Sequence, residues 1–218
     1  MSEMTTWPWA VLFLLGAYHG INPGMGWLFA VALGLQEKSS RAVWRALVPI
    51  SVGHAVAIGV VVALAGLFQA MLPLNALKIG VAVVLFGFGV YHLARHRHPR
   101  WGGMLVGFGD LTIWSFLMAS AHGAGLMVLP VLFRMGGGDS IAGPPASMHH
   151  EHLAAMGDSA TNLSAVLVHT LGYLVVTGFV AWVVYDKLGL ALLRKAWLNL
   201  DLIWAVALIV TGCFVLVI

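Results

Sequence analysis

Six long apolar stretches constrain this sequence of 218 residues more than any other feature. They run over residues 8–35, 47–73, 78–94, 101–133, 162–185 and 199–218. A helix needs about 20 apolar residues to cross the hydrocarbon core of a bilayer, so each stretch is close to or above that length. Only 9% of the residues are charged, against about 25% in soluble domains. The pattern predicts an all-α polytopic membrane protein with six transmembrane helices in a lipid bilayer, and it argues against a soluble enzyme or a nucleic-acid-binding protein.

The basic residues are concentrated in three of the predicted loops. These loops hold nine of the 11 Lys and Arg residues, namely Lys38, Arg41, Arg45, Arg95, Arg97, Arg100, Lys187, Arg194 and Lys195. Cytoplasmic loops are enriched in Lys and Arg, which assigns these loops to the cytoplasm and both termini to the outside. We therefore expect a multi-pass protein of the bacterial inner (cytoplasmic) membrane, with the long loop 134–161 outside.

The two halves of the chain carry matching histidine motifs. Gly-Ala-Tyr-His19-Gly and Val-Gly-His54-Ala in the first half correspond to Ser-Ala-His122-Gly and Val-His169-Thr in the second. Charge places the first and fourth spans in opposite directions, so residues 1–98 and 99–218 are predicted to form two inverted three-helix repeats. Many secondary transporters have this plan, with a site near the midplane at interrupted helices. Alternatively, glycines beside small residues mark only close helix packing.

The four matched histidines are the candidate site for a substrate or a metal. Ionisable residues at membrane depth are rare unless they face a partner or a watery cavity, and imidazole is the commonest metal ligand. His19 and His122 are expected to face each other across the repeat axis, flanked by His54 and His169. A single buried histidine is more often a packed core residue, but four at matching positions favour a shared polar site.

The segment Gly20-Ile21-Asn22-Pro23-Gly24 interrupts the first stretch directly after His19, and Gly123-Ala124-Gly125 interrupts the fourth. Proline has no backbone donor, so Pro23 is expected to leave the His19 carbonyl unpaired and available to a cation. The side-chain oxygen of Asn22 and the soft sulfur of Met25 would be further ligands. The alternative is a plain proline kink without a ligand.

Asp110 and three histidines of the external loop are further candidates. Asp110 is either a residue for proton or ion coupling inside the membrane or the cap of a helix N-terminus, which we favour. His149, His150 and His152 form a short His-rich tract that would capture a metal outside the membrane, or they belong to a solvated polar loop. The expected cofactor or substrate is thus a transition-metal ion. A nucleotide is not expected, because no phosphate-binding glycine loop is present.

The run FLLGAYHGINPGMGWLFAVALG resembles the first span of the lysine-exporter (LysE) superfamily, and it is nearest the NicO-type nickel/cobalt transporters. The resemblance implies about six spans arranged as two inverted three-helix repeats, and a transport activity. Gly24 and Met25 stand about where nickel/cobalt permeases have an acidic residue and a further histidine. A set of His, Asn and Met ligands suits a softer ion such as Cu(I), or the substrate is not a metal.

The sequence therefore predicts a secondary transporter for a small cation, expected to be a transition metal, rather than an enzyme. One alternative is a membrane-embedded metal- or haem-binding protein, since two histidines on different helices can ligate haem. Such a protein would be a subunit of a larger membrane complex or act alone, and a homo-oligomer is compatible with every alternative. Another alternative is an exporter of an amino acid or another small organic solute.

Overall fold

The computed structural model describes residues 3–69, 71–94, 107–136, 158–188, 206 and 208–213, and most of these residues are helical. In these ranges there is no strand, and the helices are α1 Glu3–Ile21, α2 Trp27–Gln36, α3 Ser40–Gln69, α4 Leu74–Ala94, α5 Phe108–Ala121, α6 Ala124–Gly136 and α7 Ser159–Val183. A 3-10 turn, Pro23–Met25, joins α1 to α2, and a π-helical turn, Val184–Leu188, extends α7. Residues 208–213 are also helical.

Two helices are long and apolar enough to cross a membrane, and they are Ser40–Gln69 and Ser159–Lys187. The pair α5 and α6 passes the same test as a third span if the two helices, bent by 60° at their junction, are counted together. The described residues thus hold two or three candidate spans, which agrees with an all-helical membrane protein. The predicted sixth span, 199–218, lies largely outside them.

Several helix boundaries differ from the predicted stretches for local reasons. α4 begins at Leu74 rather than at residue 78, because the carbonyl of Pro73 accepts hydrogen bonds from the Ala76 and Leu77 amides and closes the first turn. Proline is favoured at a helix start, where its missing donor costs nothing. α5 begins at Phe108, with Gly107 as its N-cap, rather than at residue 101.

The first apolar stretch is broken between α1 and α2, as its Asn-Pro-Gly segment predicts. Asn22 leaves the helical conformation with φ −69° and ψ 121° and caps the 3-10 turn. Gly26 then adopts φ +139°, a conformation that L side chains rarely adopt, and a Cβ there would lie 2.4 Å from Ile50 Cγ2. α2 can begin directly afterwards only because this position is glycine.

The fourth stretch is broken in a similar way between α5 and α6. His122 is the C-cap of α5, and Gly123 follows in the left-handed region with φ +68°. A glycine in this conformation is a common end for a helix, because other residues meet a Cβ penalty there. The chain then restarts as α6 at an angle of 60° to α5.

The most extensive helix contacts are between α1 and α7 and between α3 and α5. A Cβ on Gly16 of α1 would lie 1.9 Å from the His169 carbonyl oxygen, and one on Gly53 of α3 would lie 2.2 Å from that of Thr112. Small residues let helix backbones approach this closely, which drives association in a membrane. The glycines beside the matched histidines therefore do serve close packing.

Candidate functional site

His19 and His122 occupy equivalent local positions, each near the end of a helix that precedes a break. Nδ1 of His19 donates to the Leu15 carbonyl at 2.7 Å, and Nδ1 of His122 donates to the Met118 carbonyl at 2.8 Å. In both cases the acceptor lies four residues earlier, so the ring folds back along its own helix. His19 is fully buried and His122 is 6% exposed.

His54 and His169 lie within the two longest helices, α3 and α7, and both are fully buried. The ring centroids of His19 and His169 are 5.1 Å apart, those of His54 and His169 5.5 Å, and those of His19 and His54 5.7 Å. These three residues, from α1, α3 and α7, form what we call the histidine cluster. The structure thus brings three of the four predicted histidines into ring contact. His122 is the fourth buried imidazole and lies at the C-cap of α5.

The cluster is buried without full hydrogen bonding. Neither ring nitrogen of His54 has a hydrogen-bond partner within the described part of the chain. Neither ring nitrogen of His169 has a partner in hydrogen-bond geometry within the described residues. A buried polar group left in this state costs about 1–3 kcal/mol. The arrangement therefore leaves imidazole nitrogens available to a ligand.

Tyr173 is a residue of the site that the sequence reasoning missed. Its ring stacks on that of His54, with centroids 3.9 Å apart and planes within 9° of parallel. Its hydroxyl donates to the carbonyl of Met25, in the turn between α1 and α2. Tyr173 thereby links the break to the cluster. Its position four residues after His169 puts both on one face of α7, which was the available signal.

Asn22 and the His19 carbonyl do not act as predicted. The Asn22 side-chain oxygen accepts a hydrogen bond from the Gly24 amide at 2.9 Å, so it caps the turn locally. The His19 carbonyl accepts a bond from the Asn22 amide at 3.3 Å, so the expectation of an unpaired carbonyl there was wrong. Proline removes one donor, but the tight turn that it starts brings another amide to the same oxygen.

Side chains bind two further carbonyls of this break. The indole nitrogen of Trp27 donates to the Ile21 carbonyl at 2.9 Å, and the Tyr173 hydroxyl donates to that of Met25. The backbone amides of Met25 and Gly26 bind the carbonyls of Asn22 and Pro23. These carbonyls are therefore occupied, whereas both imidazole nitrogens of His54 lack a partner within the described residues.

Asp110 has the geometry of a helix cap. Its carboxylate accepts a hydrogen bond from the Gly107 amide at 2.9 Å at the start of α5, and the residue is exposed. It precedes His122 by 12 residues, about 18 Å of helix. The role of Asp110 in ion coupling stays a prediction.

A metal site is not preformed among the residues that the structure describes. No group of three or more His, Cys, Asp or Glu residues there has an arrangement that could hold an ion. The planes of His54 and His169 are within 6° of parallel, and His54 is flat against Tyr173, so the rings pack as aromatic groups. The external histidines His149, His150 and His152 lie outside the described residues.

A groove between α3 and α7 is separate from the histidine cluster and is apolar. It has a volume of about 580 Å³. Its walls include Trp44, Val48, Phe179 and Trp182, with Ser51 as the polar member. Since it presents almost no hydrogen-bonding group, the chemistry of the protein is better sought in the histidine cluster.

Comparison of the chain with protein-family models, with curated proteins and with solved structures finds no match.

Proposed function

We propose that this protein is a secondary membrane transporter whose substrate site is the histidine cluster and whose substrate is a small cation, a transition-metal ion. The single observation that carries the proposal is the convergence of three fully buried imidazoles from three helices beside a broken span. The nitrogens of His54, which have no hydrogen-bond partner among the described residues, are unfavourable for folding alone. A role in binding gives a reason for keeping them.

The proposal includes six spans in two inverted repeats, both termini outside the cytoplasmic membrane, and membership of the lysine-exporter superfamily. It is supported by the order of the described elements. α1 ends two residues after His19 and α5 ends directly before His122, and each helix is followed by a break, a short helix and then a long one. α1 packs mainly on α7, while α5 packs mainly on α3. The first helix of each half thus packs against the long helix of the other half, as expected for two related halves.

Binding of an ion requires the cluster to rearrange, because its rings now pack face to face and edge to face. The imidazoles of His54 and His169 would turn their nitrogens toward a common point. The breaks after His19 and His122 are the places where the backbone can pivot, since each already separates two helices. Transport would then couple pivoting at the breaks to opening of the cluster, driven by an ion gradient.

The test is transport by the purified protein in liposomes, with Cu(I), Zn(II), Ni(II) and Co(II) offered separately under an imposed proton gradient. We expect His54→Ala and His169→Ala to abolish transport of the ion that the wild type moves. The control is Gln69→Ala, which removes another buried polar side chain from α3, 15 residues and about 22 Å from His54. Size-exclusion chromatography and circular dichroism establish that each variant is folded.

Full transport by a folded His54→Ala protein would contradict the proposal. An absorbance spectrum of the wild type separates the main alternative, because haem held by two histidines gives a Soret band. Transport of an amino acid, with no response to any metal, would favour the organic-solute exporter instead.

A further inference from the structure

The charges around the cluster limit which cations it can accept. Among the residues that the structure describes, the buried polar side chains are four histidines, one Asn, one Gln, one Ser and one Thr. Within this described part of the chain no carboxylate is buried with them, so a cation bound by these groups would keep its full charge in a medium of low polarity. The Born penalty grows with the square of the charge, so a divalent ion costs roughly four times as much to bury as a monovalent one.

Two methionines lie at the break beside the cluster. Met25 belongs to the 3-10 turn, is 1% exposed, and its carbonyl accepts the bond from Tyr173, which stacks on His54. Met118 of α5 places its Cε 3.4 Å from the point where a Cβ on Gly24 would stand, so it reaches the same turn. The Met118 carbonyl also accepts the hydrogen bond from Nδ1 of His122. Thioethers are soft, neutral ligands that favour Cu(I) over harder divalent ions.

We infer that the transport site selects a soft monovalent cation, Cu(I), using imidazoles of the histidine cluster and the thioethers of Met25 and Met118. This inference rests on the proposed function, and it names the ion. Neutral imidazole and thioether ligands leave a complex of charge +1, the smallest charge that any transition-metal ion offers here. In this assignment the residues that decide selectivity are the two methionines, while the histidines supply binding to any metal.

The experiment measures affinities of the purified full-length protein in detergent. Cu(I) is added under a reductant and in competition with a chelator of known affinity, and Zn(II) and Ni(II) are titrated separately. Wild type is expected to bind Cu(I) at least about 100-fold more tightly than either divalent ion. Met25→Leu and Met118→Leu should each weaken Cu(I) binding about tenfold and leave the Zn(II) affinity unchanged.

Met135→Leu is the matched control. Met135 is partly buried in the last turn of α6, and it is far along the chain from the break between α1 and α2. It should change neither affinity. Leucine has nearly the volume of methionine, so folding should be kept, and the Cu(I)-to-Zn(II) ratio does not depend on the fraction of folded protein.

The outcomes separate the inference from the proposed function. Binding of Zn(II) or Ni(II) as tight as that of Cu(I), or unchanged Cu(I) affinity in both methionine variants, would overturn the Cu(I) assignment and leave metal transport standing. Absence of binding of all three ions to the wild type would overturn the Cu(I) assignment, and together with absence of Co(II) transport it would overturn the proposed function as well.

Discussion

At the scale of single residues, the His54 ring lies flat on Tyr173 and has no hydrogen-bond partner at either nitrogen within the described residues. Replacing it with Phe would keep the stacked ring and remove both polar atoms. We expect His54→Phe to increase the free energy of unfolding by about 1–3 kcal/mol while transport is lost. Unfolding in a titration with denaturing detergent measures the first effect.

His54→Ala is the control for this prediction. It removes the ring and leaves a cavity, so it should lower stability although it also removes the polar atoms. A His54→Phe protein that is less stable than the wild type would show that the imidazole has a bonding partner in the folded state.

Single residues also show how much of the site could be predicted from the sequence. Histidine positions within apolar stretches were enough to predict that four imidazoles are buried, because the apolar stretches leave them no polar surroundings. The roles of Asn22 and the His19 carbonyl were not predictable, since they depend on which amide the turn brings within reach. Tyr173 was missed because stacking on His54 depends on how α3 and α7 meet.

At the scale of elements, close contact between α3 and α5 depends on Gly53. A Cβ there would lie 2.2 Å from the Thr112 carbonyl oxygen, whereas one on Gly59 of the same helix would meet nothing within 4 Å. We expect Gly53→Ala to separate the helices and lower the melting temperature, and Gly59→Ala to leave it unchanged or raise it slightly, because alanine is the better helix former.

Thermal unfolding of the two glycine variants, followed by circular dichroism in one detergent, measures this difference. Equal melting temperatures would mean that the α3–α5 contact is looser than described. Gly53→Ala should also reduce transport, because Gly53 immediately precedes His54 in α3.

The start of α7 is predicted to depend on pH. Asp158 caps it, and hydrogen bonds from Thr161 lower the pKa of the Asp158 carboxyl below its ordinary value. Because the pKa is lowered in the folded state, the ionised Asp158 carboxylate stabilises the fold fully at pH values above its ordinary pKa. This stabilisation disappears as the pH falls through the lowered pKa. Asp158→Ala should therefore be less stable than the wild type at neutral pH, with the difference shrinking in acid.

Asp158→Asn is the matched variant, because asparagine can still cap the helix but does not titrate in this range. Melting curves of the three proteins between neutral pH and pH below the ordinary aspartate range give the comparison. A difference between wild type and Asp158→Ala that does not change with pH would contradict the assigned cause.

At the scale of the whole molecule, the basic loops predict which end of α3 is cytoplasmic. α3 has 30 residues, about 45 Å of helix, so its ends should lie on opposite sides of the membrane. In a Cys213→Ser background, a membrane-impermeant thiol reagent should label Asn75→Cys in intact cells. Ser40→Cys should react only after the cells are opened. Labelling of both from the same side would contradict α3 as a span, and the reversed pattern would contradict the orientation.

Hydropathy and charge were enough to predict the class of this protein, because they act residue by residue and need no partner. Long apolar runs must be helical in a bilayer. Asn22-Pro23-Gly24 and Gly123-Ala124-Gly125 interrupt their stretches through local sterics, so both breaks were predictable. The tertiary structure decided which residues contact one another. The contact of His19, His54 and His169, the stacking of Tyr173 and the satisfied carbonyls of the break arise between residues up to about 150 positions apart. Helix-crossing geometry sets such contacts, and no local pattern encodes it.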